Sequence, residues 1–283
     1  MKVTNYLELP SALVQAVSLD RHNKKGEFSA TTLLKGTCET VLTERHFDEI
    51  EVDASESIWA VFGSAVHSIF EKQNDDTFKE EQFKVSVSNS TVTGRVDSYD
   101  MENETIVDWK TASTWKVIYK DFDDWYKQGL VYAWLLKKSG LNVKRCKFIA
   151  LLKDHSKSKA KTDATYPSSP VYVYQFDVTE SALEAIEKFI TSKVKELEEA
   201  ANIADAELKP CSESERWATP DKWAIMKKGR KTAIKLCDSE EEAKALLAEK
   251  GGDFIEHRQG ENKKCSDYCN VCAWCPFYNK NLE

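Results

Sequence analysis

Asp97, Asp108 and Lys110 stand within one stretch, Gly-Arg-Val-Asp-Ser-Tyr-Asp-Met-Glu-Asn-Glu-Thr-Ile-Val-Asp-Trp-Lys, that begins at Gly94. Residues 91–99 and 105–111 are rich in Val, Ile, Thr, Tyr and Trp, and polar Glu102-Asn103 lies between them. That pattern predicts two strands around a tight turn. A hairpin centred between Glu102 and Asn103 sets Asp97 opposite Asp108, because paired antiparallel strands advance in opposite directions. Directly opposed Cβ atoms lie about 4.5–5.5 Å apart. Two carboxylates so placed repel, and a hard cation between them, with oxygen ligands at about 2.0–2.6 Å, reverses the penalty. Side-chain alternation puts Lys110 with Asp108 and Arg95 with Asp97, and leaves Val92, Val96, Val107 and Trp109 as a packed face. A half-exposed hairpin with a solvated charged face shows the same alternation. The acids therefore need support from the rest of the chain.

The elements that must position them can be read in order. Residues 1–50 look mostly helical, with Ser29 as an N-cap before Ala30. Cys38 in this region reads as a small buried hydrophobe. Residues 58–73 form an amphipathic helix, with Ile58, Phe62, Val66, Ile69 and Phe70 as its packed side. Gly63 inside it costs about 1 kcal/mol relative to Ala, which suggests a close approach by another group. His67 and Glu71 are i,i+4 neighbours on that helix. Residues 81–88 alternate as a strand and, with the hairpin, make a three-stranded meander. Residues 121–138 form a further helix carrying Gln128 and Tyr132, again i,i+4. Strands follow at 143–153 and 171–178, separated by a Lys/Ser-rich loop at 153–165. Residues 179–201 form a long helix with Leu183, Ile186, Phe189, Ile190, Val194 and Leu197 buried.

The texture changes after Cys211. A basic turn at 227–231 sits between two short apolar runs, as in a small hairpin. Ser239 and Glu242 then form a capping box for a helix at 239–250. The chain ends with Cys265, Cys269, Cys272 and Cys275, half of its 8 cysteines. Four thiols so close together are the pattern of metal ligands rather than of packing.

The bulk properties bound the function. A chain of 283 residues allows one large domain with an appendage, here residues 1–205 and 206–283. Its 41% hydrophobic and 31% charged residues are ordinary for a globular protein. No apolar run is long enough to cross a bilayer, and the first residues lack a signal-peptide core, so the expected location is cytoplasmic. Cysteines in that setting are thiols or ligands rather than disulfides. A net charge of −7 excludes a chain that binds polyanions with its whole surface, though not one with a local basic patch.

Gly63-x-x-x-His67, Glu81, Gly94-Arg95-Val96-Asp97, Asp108-Trp109-Lys110 and Gln128-x-x-x-Tyr132, in this order and spacing, resemble the PD-(D/E)XK nuclease superfamily. The likeness is to its RecB-type, Cas4-type and phage exonuclease branch, and it spans residues 29–132. Val96 stands where the motif name has proline. The resemblance implies an α/β fold of the restriction-endonuclease type, with a central mixed sheet flanked by helices. It implies Asp97 and Asp108 as shared ligands of Mg²⁺ or Mn²⁺, His67 as a third ligand and the Trp109 carbonyl as a fourth. Lys110 would orient or help deprotonate the attacking water. Gln128 and Tyr132 would support the site and touch DNA, and Glu81 would be an auxiliary acid. In similar nucleases a C-terminal cysteine cluster holds a [4Fe–4S] centre. Cys211, Cys265, Cys269 and Cys275 fit that role, with Cys272 and Cys38 as alternates for the fourth ligand. A structural Zn²⁺ would use the same thiolates.

DNA contact would come from Arg95, from Lys144, Arg145 and Lys147, from Lys153, Lys157, Lys159 and Lys161, and from Lys227, Lys228, Arg230 and Lys231. Two function classes follow. One is a metal-dependent deoxyribonuclease, exonucleolytic in character, acting in recombination, repair or phage DNA processing in a bacterium or a phage-infected cell. The other is a nuclease-fold DNA-binding or assembly subunit that works beside a recombination or helicase partner without cleaving.

Overall fold

The computed structural model describes residues 1–17, 24–73 and 77–280. They fall into two compact units, Met1–Ile203 and Ala204–Glu283. The first unit is organised on a six-stranded mixed sheet. Its strands are β1 (Glu27–Ser29), β2 (Thr77–Val87), β3 (Ser90–Asp100), β4 (Thr105–Ala112), β5 (Arg145–Leu152) and β6 (Val171–Asp177). Three long helices position the site: α1 (Ile58–Glu71), α2 (Asp123–Lys138) and α3 (Glu180–Ala200). Ser29 caps a short helix by accepting from the Thr32 N–H at 3.1 Å.

The sheet runs β1-β3-β4-β5-β6, with β2 paired to β3 outside that path. The β2–β3–β4 meander is antiparallel. Its second turn follows the hairpin centre expected from Glu102-Asn103: Asp100 pairs with Thr105, Tyr99 with Ile106 and Ser98 with Val107. Strands β4 and β5 are parallel over eight pairs. A parallel connection needs a crossover element, and α2 supplies it.

Strand β3 changes partner along its length. Thr91–Thr93 pair in parallel with β1, whereas only Ser98–Asp100 pair with β4. The ladder to β4 therefore stops one pair short of Asp97 and Asp108. Asp97 closes the opening with its side chain: Oδ2 accepts the Trp109 backbone N–H at 2.8 Å.

The two faces of β4 meet different helices, as alternation requires. Trp109 stacks on Phe70 of α1 with ring centroids 4.0 Å apart. A Cβ on Gly63 of α1 would lie 3.7 Å from Thr111 Oγ1. On the other face, Phe148 and Cys146, the β5 partners of Asp108 and Ile106, pack under Gly129 of α2. Helix α2 lies between sheet and α3 and is buried almost all round, as its apolar composition demands. At the far end of α3, Glu198 accepts from Ser88 Oγ, the Asn89 N–H and Ser90 Oγ, and so pins the β2–β3 turn.

Three expectations are corrected. Val92 and Val96 are buried, but the acid-bearing face is not open: Asp108 is 1% exposed, because α2 covers it. The expected packed side of α1 is also wrong. Val66 is its buried residue, whereas Phe62 and Ile69 face outward. Apolar residues surround most of this helix, so periodicity singles out no one face. The segment expected as a loop at 153–165 contains a helical turn, Lys157–Thr162, capped by Ser156.

The second unit centres on a three-stranded antiparallel sheet of β7 (Lys222–Met226), β8 (Lys235–Cys237) and β9 (Phe254–Arg258), with β7 in the middle. Helix α4 (Glu240–Leu246) packs on it through Ala243 against Ile225 and Cys237. Ser239 accepts the Glu242 N–H at 3.1 Å, but Glu242 reaches back to the Asp238 N–H, one residue before the cap. The cysteine-rich end folds as a short helix at Lys263–Asp267, a 3₁₀ turn at Cys272–Trp274 and a short helix at Pro276–Lys280.

Candidate active site

The site forms where β3 and β4 part. Helix α1 crosses this opening, and Gly63 faces Thr111 of β4 with room for a side-chain carbon. One turn further along, His67 Nδ1 lies 3.2 Å from Asp97 Oδ1. Asp97 thus spans the break, with one oxygen on the β4 backbone and the other on α1.

Glu80 is the acid that joins them. His67, Glu80 and Asp97 each offer a ligand atom, and these atoms lie within 4.8 Å of one another. The expected acid was Glu81, which pairs at Val96 and is exposed. Glu80 sits in the left-handed region at φ 52°, uncommon for a residue with a side chain, between the pairs Lys79↔Ser98 and Glu81↔Val96. A β2–β3 turn centred on Ser88-Asn89 sets Glu80 opposite Asp97, so the turn residues carried a signal that choosing Glu81 overlooked. Glu71, Ser64 and Ser68 of α1 complete a cavity of about 480 Å³ with Gly63, His67, Glu80 and Arg95. Arg95 Nη1 stands 3.8 Å from Glu80 Oε2.

Asp108 and Lys110 lie deeper. Lys110 Nζ is 2.6 Å from Asp108 Oδ2. The charges of Asp97 and His67 both act on Asp108, which lies beside the group of His67, Glu80 and Asp97. Gln128 Nε2 donates to Tyr132 Oη at 2.9 Å. Both residues are buried on α2, and Tyr132 is close enough to Asp108 to feel its charge.

The charges are mutually dependent. Burial pushes the Asp108 carboxyl up to about 6, opposed by Lys110 and reinforced by Asp97. The hydrogen bond that His67 donates to Asp97 raises His67 above its usual value despite burial, and the charge of Asp108 adds to this. Burial raises Glu80, and the charges of Asp97 and Glu71 raise it further. Tyr132 is held well above the usual phenol range by burial and then by Asp108. One imidazole and two carboxylates converging at a cavity wall form a donor set suited to Mg²⁺ or Mn²⁺. Bringing so many acids together is unfavourable without positive charge.

The basic residues divide between the units. Arg95 lies at the cavity. Lys153 Nζ lies 4.1 Å from the Trp59 ring centre, and Lys157, Lys159 and Lys161 follow on the short helix. Lys144 pairs with Glu104 and Arg145 with Asp177. Lys227, Lys228, Arg230 and Lys231 belong to the β7–β8 turn of the second unit. Cys38 is buried in the helix Thr37–Arg45. In the second unit, burial raises the Cys265 thiol, and the charges of Cys275 and Cys211 raise it further. Arg216 donates to the Cys211 carbonyl and covers the Phe277 ring at 4.2 Å.

No helix among the described residues is long and apolar enough to cross a membrane. No family model and no curated protein matches the chain. Among solved structures it is similar to SSO0001, at 14% identity and a TM-score of 0.47, over 71% of this chain and 92% of that one. It is also similar to a phage-related exonuclease from Haemophilus somnus 129PT, at 13% identity and 0.38, over 61% and 94%. The alkaline exonuclease LHK-Exo from Laribacter hongkongensis gives 11% identity and 0.38, over 62% and 89%.

Proposed function

We propose that this chain is a divalent-cation-dependent deoxyribonuclease of the PD-(D/E)XK type. The observation that carries the reading is the convergence of His67, Glu80 and Asp97 at the point where Asp97 bridges two diverging strands beside the Asp108–Lys110 pair. A bound Mg²⁺ or Mn²⁺ supplies Lewis-acid polarisation of a phosphoryl oxygen and makes water a better nucleophile. His67, Glu80 and Asp97 hold the cation. The resemblance adds Asp108 and the Trp109 carbonyl as further ligands from β4. Asp108 fixes Lys110, whose ammonium orients the attacking water and offsets charge gathering on the phosphate. Gln128 and Tyr132 hold Asp108 from behind. Arg95 and the lysines at 153, 157, 159 and 161 neutralise phosphates on either side. In hydrolysis the water oxygen bonds to phosphorus, one phosphorus–oxygen ester bond breaks, and the water proton ends on the leaving oxygen or in solvent.

The cysteines serve a separate structural role. Cys211, Cys265, Cys269 and Cys275 hold a [4Fe–4S] centre, or Zn²⁺ in its place, that ties the second unit together. Exonucleolytic trimming in recombination, repair or phage DNA processing is the setting such a site serves.

The test is anaerobic purification with iron, sulfide and zinc analysis, followed by an assay on end-labelled DNA with Mg²⁺, Mn²⁺ or EDTA. The expected result is cleavage that needs the cation and is abolished by Asp97→Ala, together with iron and sulfide or with zinc. DNA left intact under every cation, with metal bound, would favour the binding-and-assembly role instead.

A further inference from the structure

The surface next to this cavity carries aromatic rings that the catalytic proposal leaves unused. Trp59 is 58% exposed and Trp115 55% exposed. Trp59 meets Phe62 edge-on at 6.2 Å, and Trp115 stacks with Tyr119 at 5.6 Å. Neither tryptophan contributes to the core, and large rings left in water are unfavourable.

One junction connects the two groups. Lys153 sits 4.1 Å over the Trp59 ring, and its backbone N–H bonds the Ala112 carbonyl at the end of β4. The next residue, Asp154, accepts from Ser113 Oγ and the Thr114 N–H, each at 2.7 Å. Trp115 follows directly. The helix geometry adds a direction: Trp59, Gly63 and His67 are spaced i, i+4, i+8 along α1. Trp59 thus stands about 12 Å along the helix axis from His67. A stacked strand covers that distance in about four nucleotides, and an extended strand in fewer.

Resting on the nuclease reading, we infer that Trp59 and Trp115, with Lys153 between them, form a platform that stacks unpaired bases of a single DNA strand leading to the His67–Asp97 site. The charge favours this occupant. Lys153, Lys157 and Lys161 line the segment, and three of its acids are engaged: Asp154 in the junction, and Asp121 and Asp124 with Lys116. Rings interleaved with cations suit a ligand that offers phosphates and flat bases together. Base faces in a duplex are hidden within the stack, so the platform selects single strands.

The test is anisotropy of a labelled oligothymidylate and of a blunt duplex of equal length, with the full chain in EDTA so that no cleavage intervenes. Trp59→Ala and Trp115→Ala should each weaken oligothymidylate binding by about fivefold or more. Trp59→Phe should restore most of it, and duplex affinity should stay unchanged. Unchanged oligothymidylate affinity in both alanine variants would overturn the platform. So would a wild-type dimer that Trp59→Ala dissociates while oligonucleotide affinity persists, because the rings would then belong to a contact between copies. Cleavage is scored separately with Mg²⁺. Uncut DNA, combined with single-strand binding that Trp59→Ala removes, would defeat the nuclease reading and still support the platform.

Discussion

Asp97 combines two contacts, a backbone N–H on β4 and the His67 imidazole on α1. It is both a structural bridge and a ligand candidate, and its neighbours decide which cation chemistry is open to it. In the proposed site Glu80 offers the third ligand atom, so Glu80→Gln should weaken Mn²⁺ binding by about tenfold or more. Glu81→Gln, on an exposed side chain, should leave it unchanged. Isothermal titration of the two variants checks this, and equal affinities would remove Glu80 from the ligand set. A second residue-scale prediction concerns Asp53, away from the site. Its carboxylate accepts from Ser55 Oγ at 2.6 Å, from the Tyr6 and Ser55 N–H groups and from Thr4 Oγ1. These bonds, Ser55 first, hold its pKa down at about 2. A depressed carboxylate stabilises the fold fully above its unfolded value of about 3.9, and that contribution is lost as pH falls towards 2. Thermal unfolding from about pH 5 down to about pH 2 should show a steeper loss for the wild type than for Asp53→Asn.

At the scale of elements, the partner switch of β3 creates the site. Gly94 sits inside that switch, where a Cβ would lie 2.5 Å from Leu135 Cδ1 and 3.0 Å from Tyr132 Cδ1. Gly94→Ala should therefore destabilise the protein by about 1–3 kcal/mol, read as a lower urea midpoint, and should displace Tyr132 from behind Asp108. An unchanged midpoint would mean that α2 yields at no cost. Much of this arrangement is legible in the sequence because it is local. Glu102-Asn103 sets the hairpin register, and Thr179 and Ser239 announce helix starts. What depends on distant partners is not. The short strand at Lys2–Thr4 exists because it pairs in parallel with Glu51–Asp53, and nothing local marks either segment. The outward face of α1 and the burial of Asp108 likewise follow from which helix covers which side of β4, and alternation alone does not say which side a helix will cover.

At the scale of the whole molecule, a net charge of −7 leaves room for local basic stretches, such as Lys153, Lys157, Lys159 and Lys161 within nine residues. The division at Ile203 puts His67, Glu80, Asp97, Asp108 and Lys110 in the first unit and Cys211, Cys265, Cys269 and Cys275 in the second. The most direct test of this account is single-turnover cleavage of end-labelled DNA by Lys110→Ala, with Mn²⁺ and DNA binding measured on the same preparation. The account predicts that the variant binds both ligands and leaves the DNA uncut. Cleavage at the wild-type rate would contradict it.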